Sequence, residues 1–252
     1  MTLLSPLMAM AAADNAAALA GEAYSHQDYN RALALYEQMA KTDGVSSELY
    51  YNIANTYYRL KERSKAIIYY ERALKLDPSN SQARADLEFV REKSQLADDV
   101  ETSVLGSLIA NVVGHHSSNT WAVIAVVAFI LTLLLVGTYI AAEAVMLRKM
   151  GFFGAGVMVV ISVLALVCAF HNHGLATSHD TAIVTVQQAT LSKAPRQPKG
   201  KGDVAFSLKE GNKVTLTDSV TVRNGLVNDK WYNVETTDSR SAWINSKNLT
   251  VI

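Results

Sequence analysis

Two stretches without a single Asp, Glu, Lys or Arg, residues 102–142 and 150–179, limit what this chain can become. Within them WAVIAVVAFILTLLLVGTYIAA and GFFGAGVMVVISVLALVCAF each supply the roughly 20 apolar residues that about 30 Å of hydrocarbon demands of a helix. In lipid every backbone N–H and C=O must be paired within the segment, so such runs cross as helices. The expected unit is a hairpin, with a first span over 119–145, a loop over 146–150 and a second span over 151–170. An even number of crossings returns the chain to its starting side, so the two flanks share a compartment. Lys and Arg in short loops stay cytoplasmic, and Arg148 and Lys149 are the basic residues beside the spans. This predicts a two-pass inner-membrane protein with both soluble domains periplasmic. His115, His116, His171 and His173 mark the outer ends, where a basic cluster would argue the reverse. Two buried core helices of a soluble protein are the alternative, and uninterrupted apolar runs of this length disfavour it.

The opening residues, MTLLSPLMAMAAA, combine a short apolar stretch with Ala9, Ala11 and Ala13 at the spacing of a small-residue cleavage site. They are read as a signal-peptide remnant over 1–13, although no basic n-region precedes it; an alanine-rich lead-in to a helix is the alternative. Cys168 is the sole cysteine and lies in the second span, which excludes an intrachain disulfide and disfavours a lipid anchor. The formal net charge of zero hides an asymmetry. Residues 14–101 hold 11 Lys+Arg against 15 Asp+Glu, and residues 180–252 hold 10 against 7. Neither flank is basic enough for nucleic acid. Lys193, Arg196, Lys199 and Lys201 read as a solvated loop, with phospholipid or an acidic partner as the alternative contact.

In the N-terminal flank, Ala32 and Tyr36 fall 34 residues before Ala66 and Tyr70. The second copy is the clearer one: Tyr50, Ile53, Ala54 and Tyr57 mark one face of a first helix, Ala66, Tyr70 and Ala73 a second, and Pro78 its stop. Small residues at 54 and 66 let the helices approach, the tyrosines fill the flanks, and proline cannot donate to the preceding turn. This pattern resembles the tetratricopeptide repeat. The first copy fits less well: Leu19 and Ala20 suit its first helix, but Met39 replaces a small residue and Gly44 stands where proline is expected. Ala83, Leu87 and Val90 mark a capping helix, giving repeats with cap over 14–98. Repeats bury their faces against neighbours, so two of them must lean on the cap, a partner or another copy. The resemblance implies a concave, peptide-binding groove lined by first helices, with Asn52, Asn55 and Arg59 as the groove-facing residues. An apolar segment over 99–118 is too short to cross and is expected at the membrane interface, with Ser107 and Asn111 facing water.

After a linker over 171–180 the period changes to two. AIVTVQQATL, VAFSLKEGNKVTLTDS, KWYNVETT and SAWINSKNLTVI are short runs rich in Val, Thr and aromatics, separated by turn residues, which predicts a small all-β domain over 181–252. Leu208 to Gly211 as a turn, Trp231 with Val234 in one strand, Trp243 with Ile244 in the last, and SKNL as a single helical turn resemble the bacterial SH3-like barrel. Lys230 and Ala242 replace glycines usual in that pattern. Trp231, Tyr232 and Trp243 read either as an aromatic binding surface or as core.

No nucleophile elbow, phosphate loop or zinc-helix motif is present, and the adjacent histidines offer no ligand geometry. The expectation is a non-enzyme without cofactor or metal. The order of repeats, hairpin and SH3-like barrel resembles the BatE-like family of the Bacteroides aerotolerance operon. That resemblance implies a scaffold in an envelope complex linked to stress or oxygen tolerance. It also implies that its partners include other Bat-operon membrane proteins with von Willebrand A-type domains. A cell-wall protein that binds peptidoglycan through the barrel is the second reading, and transport by spans lacking any buried charge is the poorest.

Overall fold

The computed structural model describes residues 4–96, 112–224 and 227–252. They form two compact units, one built from the two flanks and the other from the apolar hairpin.

The first unit opens with helices α1 (Leu4–Ser25), α2 (Tyr29–Thr42), α3 (Ser47–Arg59), α4 (Arg63–Leu76) and α5 (Ser81–Lys93). Side-chain caps start three of them: Asp28, Ser46 and Asn80 each accept a backbone N–H three residues on, which satisfies donors that the first helical turn leaves open. The alanine pairs expected at the crossings are fully buried, with Ala20, Ala32, Ala54, Ala66, Ala73 and Ala83 all shielded from solvent, and Tyr36, Tyr57 and Tyr70 pack beside them. Residues 4–13, read from sequence as a signal remnant, form the start of α1, as an alanine-rich segment favours. Leu19 is 40% exposed rather than core, whereas Ile53 and Leu87, at the corresponding positions 34 and 68 residues on, are buried, because α1 opens the stack.

The repeat is written into the backbone more clearly than into the side chains. Gln27, Lys61 and Gln95 adopt positive φ, at 64°, 66° and 55°, and stand 34 residues apart. At each, the residue that follows donates its N–H to a carbonyl five residues back: Asp28 to Ala23, Glu62 to Tyr57, Leu96 to Arg91. This is the Schellman closure of a helix by a left-handed residue. Its third occurrence, at the end of α5, carries the 34-residue period through the helix expected to cap the repeats.

The second flank is a seven-stranded antiparallel sheet that curls over its own core. Its strands are β1 (Thr181–Val184), β2 (Gln188–Ser192), β3 (Val204–Lys209), β4 (Lys213–Asn224), β5 (Val227–Glu235), β6 (Ser241–Asn245) and β7 (Leu249–Val251). The order is β3-β2-β6-β5-β4-β1-β7, with bulges in β2 and β4 that sharpen the curl. Ala182, Val184, Leu191, Val214, Val234 and Ile244 fill the concave side. Ser246–Asn248 makes the 3₁₀ turn expected after the Trp243–Ile244 strand, which is not the last, since β7 follows.

Sheet and helices share one hydrophobic core, since Ile183 and Ile252 join the helical cluster. Ser64, Ile67, Glu71 and Lys75 recur on one stripe of α4, and the sheet covers it. Ser64 Oγ donates to Glu210 at 2.6 Å, and Lys75 Nζ donates to the Ile252 carbonyl at 3.0 Å. Glu71, 10% exposed, takes Arg91 at 2.6 Å on one oxygen and Lys213 at 2.8 Å on the other. Gly211, at φ +89°, turns the chain against Ile67 and Leu96. The short repeat stack therefore leans on the sheet.

The second unit is the hairpin of α6 (Ser118–Ala141) and α7 (Val145–Thr177). Ser117, the end of the segment expected at the interface, caps α6 through the Thr120 N–H; residues 99–111 of that segment lie outside the described residues. The residues 146–150, expected as a loop, are helical, and so are 171–177 of the expected linker. Nothing between Val145 and Thr177 breaks a helix; charge marked the end of the apolar run, not of the helix. The helices meet on small residues. A Cβ on Gly151 would lie 2.7 Å from the Leu135 carbonyl oxygen, and Ser162 Oγ donates across to the Ala125 carbonyl at 3.0 Å. Asn172 Nδ2 ties α7 to the approach to α6, donating to the carbonyls of Val113 and His116. Both helices are long and apolar enough to cross a membrane, and only 17% and 22% of their most apolar windows are buried, unlike core helices of a soluble domain.

Candidate functional site

Helices α1, α3 and α5, which follow one another at the 34-residue period, are joined by side-chain contacts on one face. The 34-residue period carries Asn52, Asn55 and Arg59 of α3 onto Asp86, Phe89 and Lys93 of α5. Both triplets follow helical i, i+3, i+7 spacing, so each lies along a single stripe.

Cross-helix contacts knit the face together. Tyr51 Oη donates to Asp86 Oδ2 at 2.9 Å, the Tyr58 ring meets Phe89 edge-on with centroids 6.0 Å apart, and Arg59 Nε donates to Tyr24 Oη at 3.3 Å. Lys93 Nζ lies 5.3 Å from the Phe89 ring centroid. The buried Tyr70 hydroxyl, reaching through from α4, donates to Asn55 Oδ1 at 2.5 Å. Burial, then the acidic neighbour Asp86, pushes the Tyr70 hydroxyl well above the ordinary tyrosine range, so it stays a neutral donor. Burial likewise raises Tyr51.

The three residues expected to line the groove thus take different parts. Asn55 is half-buried and its acceptor oxygen is used by Tyr70, so it positions the face. Asn52, half-buried, makes no side-chain hydrogen bond among the described residues and presents its amide outward. Arg59 is exposed, with its guanidinium steadied by Tyr24. Phe89, a large apolar side chain 49% exposed between Tyr58 and Lys93, is the feature that pattern reading missed. The signal was available: extending the period one step beyond the second copy places Phe89 at the position of Asn55.

On the sheet, Trp231, Tyr232 and Trp243 do not form one surface. Neighbours along β5 point to opposite faces, and Tyr232 packs on the core side opposite Ile244. Trp231 is 2% exposed, which leaves half-buried Trp243 as the accessible ring. Among the described residues no group of three His, Cys, Asp or Glu side chains is placed to hold a metal ion.

The tetratricopeptide-repeat family matches residues 47–80, which are α3, α4 and the turn that leads into α5. No curated protein matches the chain. This stretch is therefore tetratricopeptide repeat, a module associated with protein–protein interaction.

Proposed function

We propose that this chain is a membrane-anchored, non-catalytic scaffold that holds a segment of a partner protein on the joined face of α1, α3 and α5. The observation that carries the reading is the exposed Phe89, set between Tyr58 and Lys93 on α5, beside the α3 stripe of Asn52 and Arg59. Apolar and aromatic anchors flanked by polar groups are the usual energetic centre of an interface. Asn52 adds a free amide, able to donate to and accept from a partner backbone.

The remaining assignments rest on sequence likeness together with supporting geometry. The curled sheet, with its glycine turn at Gly211 and 3₁₀ turn before β7, supports an SH3-like domain. The contact between helices and sheet supports a common compartment for the two flanks, as two crossings require, and Arg148 and Lys149 support a periplasmic one. A place beside Bat-operon proteins with von Willebrand A-type domains, in stress or oxygen tolerance, follows from the BatE-like order of segments.

Site-specific photo-crosslinking of the full chain in native membranes tests the scaffold. A probe at Asn52 or Phe89 is expected to give a discrete adduct with one protein, abolished by Phe89→Ala when the probe is at Asn52. A probe at Lys65, exposed on α4, is expected to give none. Adducts from Lys65 but not from Asn52 or Phe89 would move the binding face elsewhere.

A further inference from the structure

The hairpin carries a cavity of about 480 Å³ on its surface, at the end where α6 turns into α7. Tyr139, Phe152 and Phe153 line it at the end nearest the connecting turn, and Gly156, Val160 and Thr132 line it further along the helices. Thr132 Oγ1 already donates to the Ala128 carbonyl at 2.9 Å, so apart from the Tyr139 hydroxyl the lining side chains offer a ligand apolar contact. From Gly151 to Val160 the groove runs nine residues of helix, or about 14 Å at 1.5 Å per residue. That is a slot for an extended hydrocarbon chain.

Charge stands at the turn end and nowhere along the slot. Arg148 and Lys149 precede Phe152 and Phe153 by four residues, one helical turn, on the same helix. The Arg148 guanidinium lies 5.6 Å from the Tyr139 ring centroid, which holds it over the groove. Glu143, in the connecting turn, carries the opposite sign, leaving a net charge of +1 at this end.

We infer that the groove binds one anionic phospholipid, with an acyl chain along Phe152, Gly156 and Val160 and its phosphate on Arg148 and Lys149. The inference rests on α6 and α7 lying in a membrane. An ordinary annular lipid needs neither the concavity nor the paired cations; a ligand that is anionic at one end and a hydrocarbon at the other uses both.

Gly156 gives a clean test, because a Cβ there meets nothing within 4 Å. Gly156→Leu therefore extends from an unobstructed Cβ into the slot, and Arg148→Ala/Lys149→Ala removes the headgroup contacts. The full chain, purified in mild detergent, is titrated with phosphatidylglycerol or phosphatidylethanolamine of equal chain length and examined by native mass spectrometry. The expected result is retention of one phosphatidylglycerol per chain, preferred at least fivefold over phosphatidylethanolamine. Each variant should lower that retention at least fivefold. Equal retention of both lipids, or unchanged retention in Gly156→Leu, overturns the site. Alkaline carbonate extraction of the unaltered chain tests the membrane reading separately: release from the membrane pellet sinks that reading, whereas a pellet-bound chain without lipid preference sinks only the site.

Discussion

Gly211 joins the sheet to the helices, and replacing it with alanine isolates the strength of that joint. Two terms are involved. At φ +89° an L residue pays for a left-handed conformation, about 1–2 kcal/mol. The new Cβ would also lie 2.6 Å from Leu96 Cδ1 and 2.9 Å from Ile67 Cδ1. Leu96 can rotate away in part, but Ile67 is fully buried and β-branched, so relief requires the turn to lift from α4. Overpacking of this kind costs about 1–3 kcal/mol, and since the clashing atoms are side-chain ends we take the lower half. The sum is about 2–4 kcal/mol. Urea unfolding of the detergent-solubilised chain, followed by circular dichroism for the helices and by fluorescence of Trp231 and Trp243 for the sheet, should show both signals moving together by that amount. In an Ile67→Val background, which removes the Cδ1 atom that cannot give way, the same substitution should lose most of its steric part, leaving about 1–2 kcal/mol. An equal effect in both backgrounds, or a sheet signal that shifts while the helical signal does not, would refute the docked arrangement.

Other substitutions test neighbouring claims. Asn55→Ala strips the buried Tyr70 hydroxyl of its acceptor and is expected to destabilise the repeats by about 1–3 kcal/mol, with Asn55→Asp, which keeps an acceptor, losing less by the same urea titration. A double-mutant cycle between Glu71 and Lys213 should yield a coupling of about 1 kcal/mol, between the values for exposed and buried pairs; no measurable coupling would mean that Lys213 is held in solvent. Burial raises the hydroxyls of Tyr36, Tyr51, Tyr57, Tyr69 and Tyr70 above 10.0 in the folded chain. Their contribution to stability is therefore complete below pH 10 and lost as pH rises beyond it. Phenolate absorbance should accordingly appear for these tyrosines only together with loss of helical dichroism, and their titration in a folded chain would contradict the burial.

How far the sequence carries is seen at particular positions. The alanine and tyrosine pattern of the second repeat located α3 and α4, because core packing depends on residue size at fixed spacing. The continuation of the period through α5 is harder to see, because it lives in the left-handed turn at Gln95, and glutamine gives no sign of positive φ. Glycine does give that sign at Gly211. The spans were legible as apolar runs, but not the ends of their helices, since Arg148 and Lys149 break hydrophobicity without breaking a helix. Nor could alternation alone tell that Trp231 is shielded while Trp243 is accessible; both stand in strands, and shielding depends on what lies over each.

The docking of the sheet on α4 bears on how the groove is used. A tetratricopeptide stack presents its first helices on one side and packs its second helices behind them, and here the sheet covers the stripe Ser64, Ile67, Glu71 and Lys75 of a second helix. Among the residues of this unit that are described, none is laid across the first-helix face. Tyr70 links the two sides, because it springs from α4 and its hydroxyl reaches through to Asn55 on the groove face. A partner that pulls on Asn52 or Phe89 therefore works against α4, whose other stripe is held by Glu210, Lys213 and the Ile252 carbonyl. Weakening that hold, as Gly211→Ala is expected to do, should loosen the proposed binding face without altering a residue on it. Reduced adduct yield from a probe at Asn52 in the Gly211→Ala chain, under conditions where the chain is still folded, is the expected consequence. An unchanged yield would mean that the sheet stabilises the stack without shaping its groove.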